Sequence, residues 1–343
     1  MTAPGGPLRR EEFELSPPPP GEAWVRVAGC GVCHTDLGFL YGGVRTRHPL
    51  PLTLGHEISG TVVLAGPGAE TWAGRDVVVP AVLPCGECAT CRRGRETSCR
   101  AQRMPGNDFH GGFASHVLVP TRWLVDASDL PDDLELADVS VLADAISTPY
   151  QALERAEVSS GDGVVVIGAG GIGAFGLQIA RVRGARVVVA DVDPAKLERA
   201  AALGAAAVVD VGGLDARAAR DAVRDACREA DLPEVGLKVL EMSGTPAGQR
   251  LAWSLMRPAS ILGFVGYCLD EVPVRLSNLM AFDADAFGNW GCRPQLYGPA
   301  LDLVRSGRVQ VGPLVRRFPL DEVQEVLEAA RDHRILERPV LVP

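Results

Sequence analysis

Four cysteines, Cys85, Cys88, Cys91 and Cys99, stand at C-x2-C-x2-C-x7-C, which puts four potential thiolate ligands in one short stretch. Such crowding suits a tetrahedral zinc with no open position, whereas ligands dispersed along a chain suit a zinc that keeps a place for substrate. Two dispersed candidates lie upstream, Cys33 in GCGVCHTD and His56 in LGHE. One chain is therefore expected to carry a structural and a catalytic metal. Disulfides are the competing reading of the tetrad. Two of them in so short a loop would be strained, the nine cysteines are an odd number, and nothing at the N-terminus reads as a signal peptide. The others, Cys30, Cys227, Cys268 and Cys292, sit singly in apolar or Gly-rich surroundings and read as small buried hydrophobes.

A second chemical signal is the run Gly168-Ala169-Gly170-Gly171-Ile172-Gly173, a GxGxxG after the apolar VVVI and at the start of a helical pattern. In that setting the first glycine makes the tight turn, the second lets the backbone approach a pyrophosphate, and the third lets helix and strand pack closely. Asp191 ends the next strand, VVVAD, where a carboxylate can accept hydrogen bonds from an adenine ribose; the plainer alternative is a turn or cap acid. Val192, Asp193 and Pro194 follow with no arginine for a ribose phosphate, although Lys196 is close, so NAD is expected over NADP. A dinucleotide together with an open zinc means hydride transfer from an alcohol.

The elements that must hold these residues fall into two patterns. The first half has short β segments broken by Gly and Pro, AWVRVAGCGV, HEISGTVVLAG, GRDVVVPAVL and GGFASHVLVP, which make a small unit of β-barrel type. From about Thr148 a helical stretch, PYQALERAEV, leads into strand, Gly turn, amphipathic helix and strand, a βαβ unit; GLKVLEMSGTPAGQRLAWSLMRPASILGFVG repeats the alternation. After about Trp290 helix-rich segments end in ERPVLVP and are expected to return to the first domain. The expected division is 1–147, 148–290 and 291–343. Ser16 to Gly21 reads as an extended polyproline lead-in. At 343 residues the chain exceeds what one core usually organises, and no apolar run is long enough to span a bilayer. The net charge of -9 argues against a general nucleic-acid binder. A two-domain cytoplasmic enzyme with a small-molecule substrate is the class that remains.

With these blocks together, GCGVCHTD, LGHEISG, the Cys tetrad, STPYQAL, GAGGIG and Arg338, the chain resembles the zinc-dependent medium-chain alcohol dehydrogenases over nearly its full length. The resemblance implies an α/β protein: a GroES-like catalytic domain of β-barrel type and a doubly wound parallel-sheet Rossmann domain, assembled as a homodimer or homotetramer. It implies that Cys33, His56 and Asp144 hold the catalytic zinc, Asp144 standing where the family often has cysteine. A carboxylate is a competent hard ligand and should leave the metal somewhat more Lewis-acidic than a second thiolate would. Glu57 resembles the family's mobile carboxylate behind the metal, Asp36 the one that orients the ligand histidine, and Thr35 the hydroxyl that bonds the substrate alcohol and begins a proton relay. The familiar relay ends in a histidine where this chain has Gly38, so water or another histidine such as His48 would take its place. Arg338 resembles an arginine that contacts the cofactor pyrophosphate, with an exposed ion pair as the alternative.

A narrower resemblance rests on GVRTRHPLPLTLGHEISG, RMPGNDFHGGFASHV, LADAISTPYQAL and SNLMAFDADAFGNWGC. These are similar to dehydrogenases of 6-hydroxycyclohex-1-ene-1-carbonyl-CoA, which act in anaerobic benzoyl-CoA degradation, and imply a cyclic hydroxyacyl-CoA substrate. Arg45, Arg47, Arg103 and Arg293 would then be candidate phosphate contacts, the alternative for each being a solvated surface charge. Two other readings keep the motifs: a broad secondary-alcohol dehydrogenase or cyclic-ketone reductase, and a non-catalytic protein on the same fold. The last would be expected to lose the catalytic zinc ligands, and three plausible ones are present.

Overall fold

β-branched and apolar runs between glycine and proline breaks become strands throughout the computed structural model, which describes residues 1–343. In chain order the first stretch contains β1 (Glu22–Gly31), α1 (His34–Leu40), β2 (Glu57–Ala65), β3 (Asp76–Val79), the single turn α2 (Ala89–Arg92), β4 (His116–Pro120) and β5 (Val125–Asp126). After α3 (Ser147–Arg155) come β6 (Gly163–Ile167), α4 (Gly171–Val182), β7 (Arg186–Asp191), α5 (Pro194–Ala202), β8 (Ala207–Asp210), α6 (Ala216–Glu229) and β9 (Lys238–Glu241). The series continues with α7 (Pro246–Ser254), β10 (Ile261–Phe264), α8 (Ser277–Phe282), β11 (Asp285–Gly288), α9 (Tyr297–Arg305), β12 (Val315–Pro319), α10 (Val323–Arg331) and β13 (Arg338–Val342). The chain divides into two units, one of Met1–Ser147 with Gly291–Pro343, the other of Thr148–Trp290.

The first unit is a seven-stranded mixed sheet in the order β12-β13-β1-β2-β3-β5, with β4 also paired to β1. β1 and β2 run antiparallel with register shifts at Trp24/Val25 and Val27/Gly29, which bend the pair. Val25, Ile58, Val77 and Val119 are wholly buried in its core. A neighbouring cluster, with Leu37, Leu40, Leu54, Leu327 and Leu341, seats α1 and α10. Two segments differ from the sequence reading. GGFASHVLVP is a strand only over His116–Pro120, because Gly111, Gly112 and Phe113 donate their amides to Thr53, Gly55 and Leu54 instead of to a ladder. The tail holds two strands besides its helices: β13 pairs in parallel with β12 and antiparallel with β1.

The second unit is a six-stranded parallel sheet, β8-β7-β6-β9-β10-β11 in space, the doubly wound order 3-2-1-4-5-6. Strand β6 is buried at every position, as expected of a parallel strand covered on both faces. Helices α5, α6 and α7 start on side-chain caps: Asp193 accepts from the Ala195 amide, Asp215 from Arg217 and Ala218, and Thr245 from Gly248. Cys30, Cys227 and Cys292 are buried, whereas Cys268 is only half-buried. It lies in the loop after β10 and donates weakly to the Asp270 carbonyl, a partly exposed thiol where a small buried hydrophobe was expected.

The glycines of the βα turn differ in what a side chain would meet. Gly168 has φ +92°, a region open to glycine at no steric cost. A Cβ on Gly173 would lie 1.8 Å from the Gly168 carbonyl oxygen, whereas one on Gly170 would meet nothing. Gly173→Ala should therefore lower stability by about 1–3 kcal/mol through overpacking, and Gly170→Ala, at the helix cap, by less than ~1 kcal/mol. Urea denaturation of the two variants checks this; equal losses would mean that helix and strand are not closely packed at Gly173.

Candidate active site and metal sites

The Asp36 carboxylate, wholly buried in the first turn of α1, organises the first site. Its Oδ2 accepts from the Cys33 amide at 3.0 Å, and its Oδ1 from the Gly55 amide at 3.1 Å and lies 3.2 Å from His56 Nδ1. It thereby holds the start of α1 and the chain entering β2 together, and leaves His56 Nε2 free for a ligand. Gly55 has φ +96°, and a Cβ there would lie 2.8 Å from Cys30 Sγ and 2.6 Å from the Phe113 ring, so only glycine brings His56 in at this angle.

Opposite His56 Nε2, Asp144 Oδ2 is 3.8 Å away and is also 3.7 Å from Cys33 Sγ. Ligands at zinc bond lengths of about 2.0–2.3 Å on a tetrahedron are roughly 3.3–3.8 Å apart, so these separations fit the edges of one. Glu57 joins the group, all four ligand atoms lying within 4.8 Å of one another. Burial disfavours charge on His56, but Asp36, Asp144 and Cys33 outweigh it and push its pKa well above the usual value. The cage thus has a field that favours a cation. Thr35 Oγ1 is 3.7 Å from Cys33 Sγ and partly exposed, at the rim of the same cage.

Glu57 itself is wholly buried, and the space it fills is made by Gly31, where a Cβ would lie 2.1 Å from Glu57 Oε2. Its partner is Arg338 of β13, also buried, which donates from Nε to Oε2 at 3.1 Å and from Nη2 to Oε1. Burial raises the Glu57 pKa to about 7 in spite of the Arg338 charge. The structure therefore places Arg338 in a buried bidentate pair behind the cage, not in the exposed pair weighed from sequence. Gly38 lies on α1 next to Val44, and the His48 ring packs against His110 with centroids 5.1 Å apart.

The second cluster is the tetrad. Its sulfurs are 3.5 Å apart for Cys88 and Cys91 and for Cys99 and Cys85, 3.8 Å for Cys88 and Cys99, and 4.0 Å for Cys85 and Cys91. A zinc–thiolate tetrahedron has edges of about 3.8 Å. All four cysteines are free of disulfides. The Cys91 amide and thiol bonded to Cys88 lower the Cys88 pKa to about 6, whereas burial raises Cys91 to about 12.

In the second unit, Asp191 Oδ2 accepts from the Ala169 amide of the glycine turn at 2.6 Å, and its Oδ1 from the Val192 and Asp193 amides. A carboxylate has about four acceptor sites, so these three leave capacity for a ribose hydroxyl. Gly171 opens α4 directly behind the turn. Lys196 Nζ lies 3.8 Å from Asp193. Sequence reasoning missed Arg199, whose Nη2 donates to the Ala169 carbonyl at 3.1 Å. The 193, 196, 199 spacing on one face of α5 was the available signal. Of the arginines weighed as phosphate contacts, Arg47 pairs with Asp108 and Arg103 with Glu22, both at 3.3 Å.

Residues 19–131 match the alcohol dehydrogenase GroES-like domain, and residues 171–306 match the zinc-binding dehydrogenase domain. The chain is 30% identical to an alcohol dehydrogenase of Geobacillus stearothermophilus over 97% of its own length and 95% of that protein. Its fold matches the alcohol dehydrogenase of the archaeon Aeropyrum pernix with a TM-score of 0.88 at 28% identity, covering 100% of this chain and 98% of that one. Acetophenone reductase from Geotrichum candidum, solved in complex with NAD, matches with a TM-score of 0.82 at 26% identity, covering 96% and 91%.

The purified chain should contain two zinc ions. Cys91→Ser should lose the tetrad metal and unfold at lower temperature, whereas Asp144→Ala should keep that metal and lose the other. Asp36→Asn, which keeps the ligands themselves but weakens the support of His56 and of the Cys33 and Gly55 amides, should weaken the second metal by about 10–100-fold. Metal analysis alongside thermal melts decides this, and one zinc or none in the intact protein would overturn the two-site reading.

Proposed function

Since the chain belongs to the zinc-binding alcohol dehydrogenases with a GroES-like first domain, we propose that it oxidises a cyclic secondary alcohol carried on coenzyme A, with NAD as hydride acceptor. The observation that carries the broad reaction is the Cys33, His56 and Asp144 cage, which has ligands for three corners of a tetrahedron and Thr35 at its rim. A zinc ion held there supplies the Lewis acidity that lowers the pKa of an alcohol. NAD would supply the two-electron acceptor for the hydride from the alcohol carbon, the hydroxyl proton going to the protein side, so that a ketone would result.

The chain's own residues would position these partners. Thr35 would bond the substrate hydroxyl and take up its proton, and because Gly38 has no side chain to receive it, water, or another histidine such as His48, would carry it onward. Asp36 would keep the His56 tautomer fixed, and Glu57 with Arg338 would set the charge behind the ligands. In the second unit, Gly170 would admit the pyrophosphate at the start of α4, and Asp191 would hold the adenine ribose.

The narrower substrate, 6-hydroxycyclohex-1-ene-1-carbonyl-CoA going to the 6-oxo thioester, is supported by the RTRHPLPL and SNLMAFDADAFGNWGC blocks. A second reading, a broad secondary-alcohol dehydrogenase or cyclic-ketone reductase, is favoured by the names of the relatives, alcohol dehydrogenases and an acetophenone reductase. Assay of acyl-CoA thioesters beside free cyclic alcohols separates them. Loss of the CoA part should lower kcat/KM, because remote binding energy can act at the reacting centre; equal efficiency would leave the broad reading standing.

NAD should be preferred over NADP by roughly a hundredfold or more in kcat/KM, since a ribose phosphate would meet the Asp191 carboxylate in a poorly solvated place. Steady-state rates with each cofactor, for wild type and for Asp191→Ala, measure this. Equal efficiency in the wild type, or an unchanged preference in the variant, would reduce Asp191 to a turn acid.

A further inference from the structure

The second unit carries an open cavity of about 390 Å³, large enough for a small ligand, lined by parts of α6, α7 and α8 and the loop before α8. None of its lining residues belongs to the glycine turn or is Asp191. Arg220, Arg224, Arg250 and Arg275 line it together with Trp253, in a chain whose net charge is -9. Of these four only Arg220 has a carboxylate at ion-pair distance, that of the adjacent Asp221 at 2.8 Å. Arg224, Arg250 and Arg275 have no carboxylate within ion-pair distance. Two lining donors are moreover buried without an acceptor: Arg224 Nε and Trp253 Nε1. Unpartnered buried donors are uncommon and costly; both belong to side chains that line the cavity, where Arg224 also donates from Nη2 to the Ser254 carbonyl at 3.0 Å. Burial, and after it the charges of Arg220 and Arg257, lower the pKa of Arg224 against the opposing pull of Asp221, so repulsion outweighs compensation here.

We propose that this cavity is a binding site for the phosphate of a small phosphomonoester, separate from the dinucleotide site. A phosphate has about two negative charges and several acceptor oxygens, matching the planar donor forks of several arginines better than a monovalent carboxylate does. The phosphate could belong to a substrate's coenzyme A moiety or to a separate phosphorylated ligand; the chemistry of recognition is shared.

Calorimetric titration of the zinc-loaded protein with inorganic phosphate, in saturating NAD so that the dinucleotide site is filled, tests the proposal. Wild type should bind phosphate saturably, and Arg250→Gln with Arg275→Gln should weaken it by about 10–100-fold, as expected for lost charge-assisted hydrogen bonds. These two residues are exposed, so the variant should fold, and its NAD affinity and rate with a free alcohol should be unchanged. The fluorescence of Trp253, read as the difference from Trp253→Phe, should respond to phosphate in the wild type. No saturable binding, or equal binding in the double variant, would overturn the site. Competition by free coenzyme A would assign the phosphate to that moiety, and binding of phosphate undisturbed by it would assign a separate ligand; either result upholds the site.

Discussion

A single buried carboxylate, Asp36, is the constraint on which the first unit's chemistry depends. It accepts two amides and faces one imidazole, and the groups it joins come from α1 and from the turn into β2. A wholly buried carboxylate is costly unless its acceptor sites are filled, so the same bonds that orient His56 also make Asp36 tolerable in the core. Cys33 is placed by the backbone half of that arrangement and His56 by the side-chain half. Only Asp144 arrives independently, at the end of a short helical segment after Ala143.

Behind the cage the pairing of Glu57 with Arg338 follows a related logic. Removing one member of a buried ion pair costs more than the pair contributes, because the survivor is left as an uncompensated charge; typical losses are about 3–5 kcal/mol. The space is prepared by Gly31, and the arginine comes from a strand in register with the far end of β1. Electrostatics at the metal are thus coupled to the pairing of β13 with β1, a link from sheet topology to chemistry.

Legibility in the sequence followed the distance over which each feature is encoded. The doubly wound sheet and the zinc-type tetrad are written in local patterns, strand and turn alternation in one case and cysteine spacing in the other, and both families of contact lie close along the chain. Asp144 was reached only through resemblance, since 111 residues separate it from Cys33 and nothing local marks it as a ligand. Arg338 was weighed as a pyrophosphate contact or an exposed pair because its partner lies 281 residues away. The strand expected across GGFASH failed for a physical reason: a Cβ on Gly111 would meet the Gly55 carbonyl and one on Gly112 the Ile58 and Cys30 side chains, and the two amides go to the Thr53 and Gly55 carbonyls instead of to a ladder.

The discontinuity of the first unit bears on how the protein acquires its fold. Strand β13 must find β1 across almost the entire polypeptide, with Cys30 opposite Leu341. The second unit lies within that interval, and its two ends are already joined to each other, Asn289 Nδ2 donating to the Thr148 carbonyl and Gln151 Nε2 to that of Trp290. Once formed, it acts as a clasp that removes its own length from the search, roughly halving the loop to be closed and sparing about 0.6 kcal/mol of closure entropy. Early formation of the nucleotide-type sheet is therefore a kinetic aid to the metal-bearing one. A lesion in the inserted unit would slow the arrival of Arg338 at Glu57 without touching either residue.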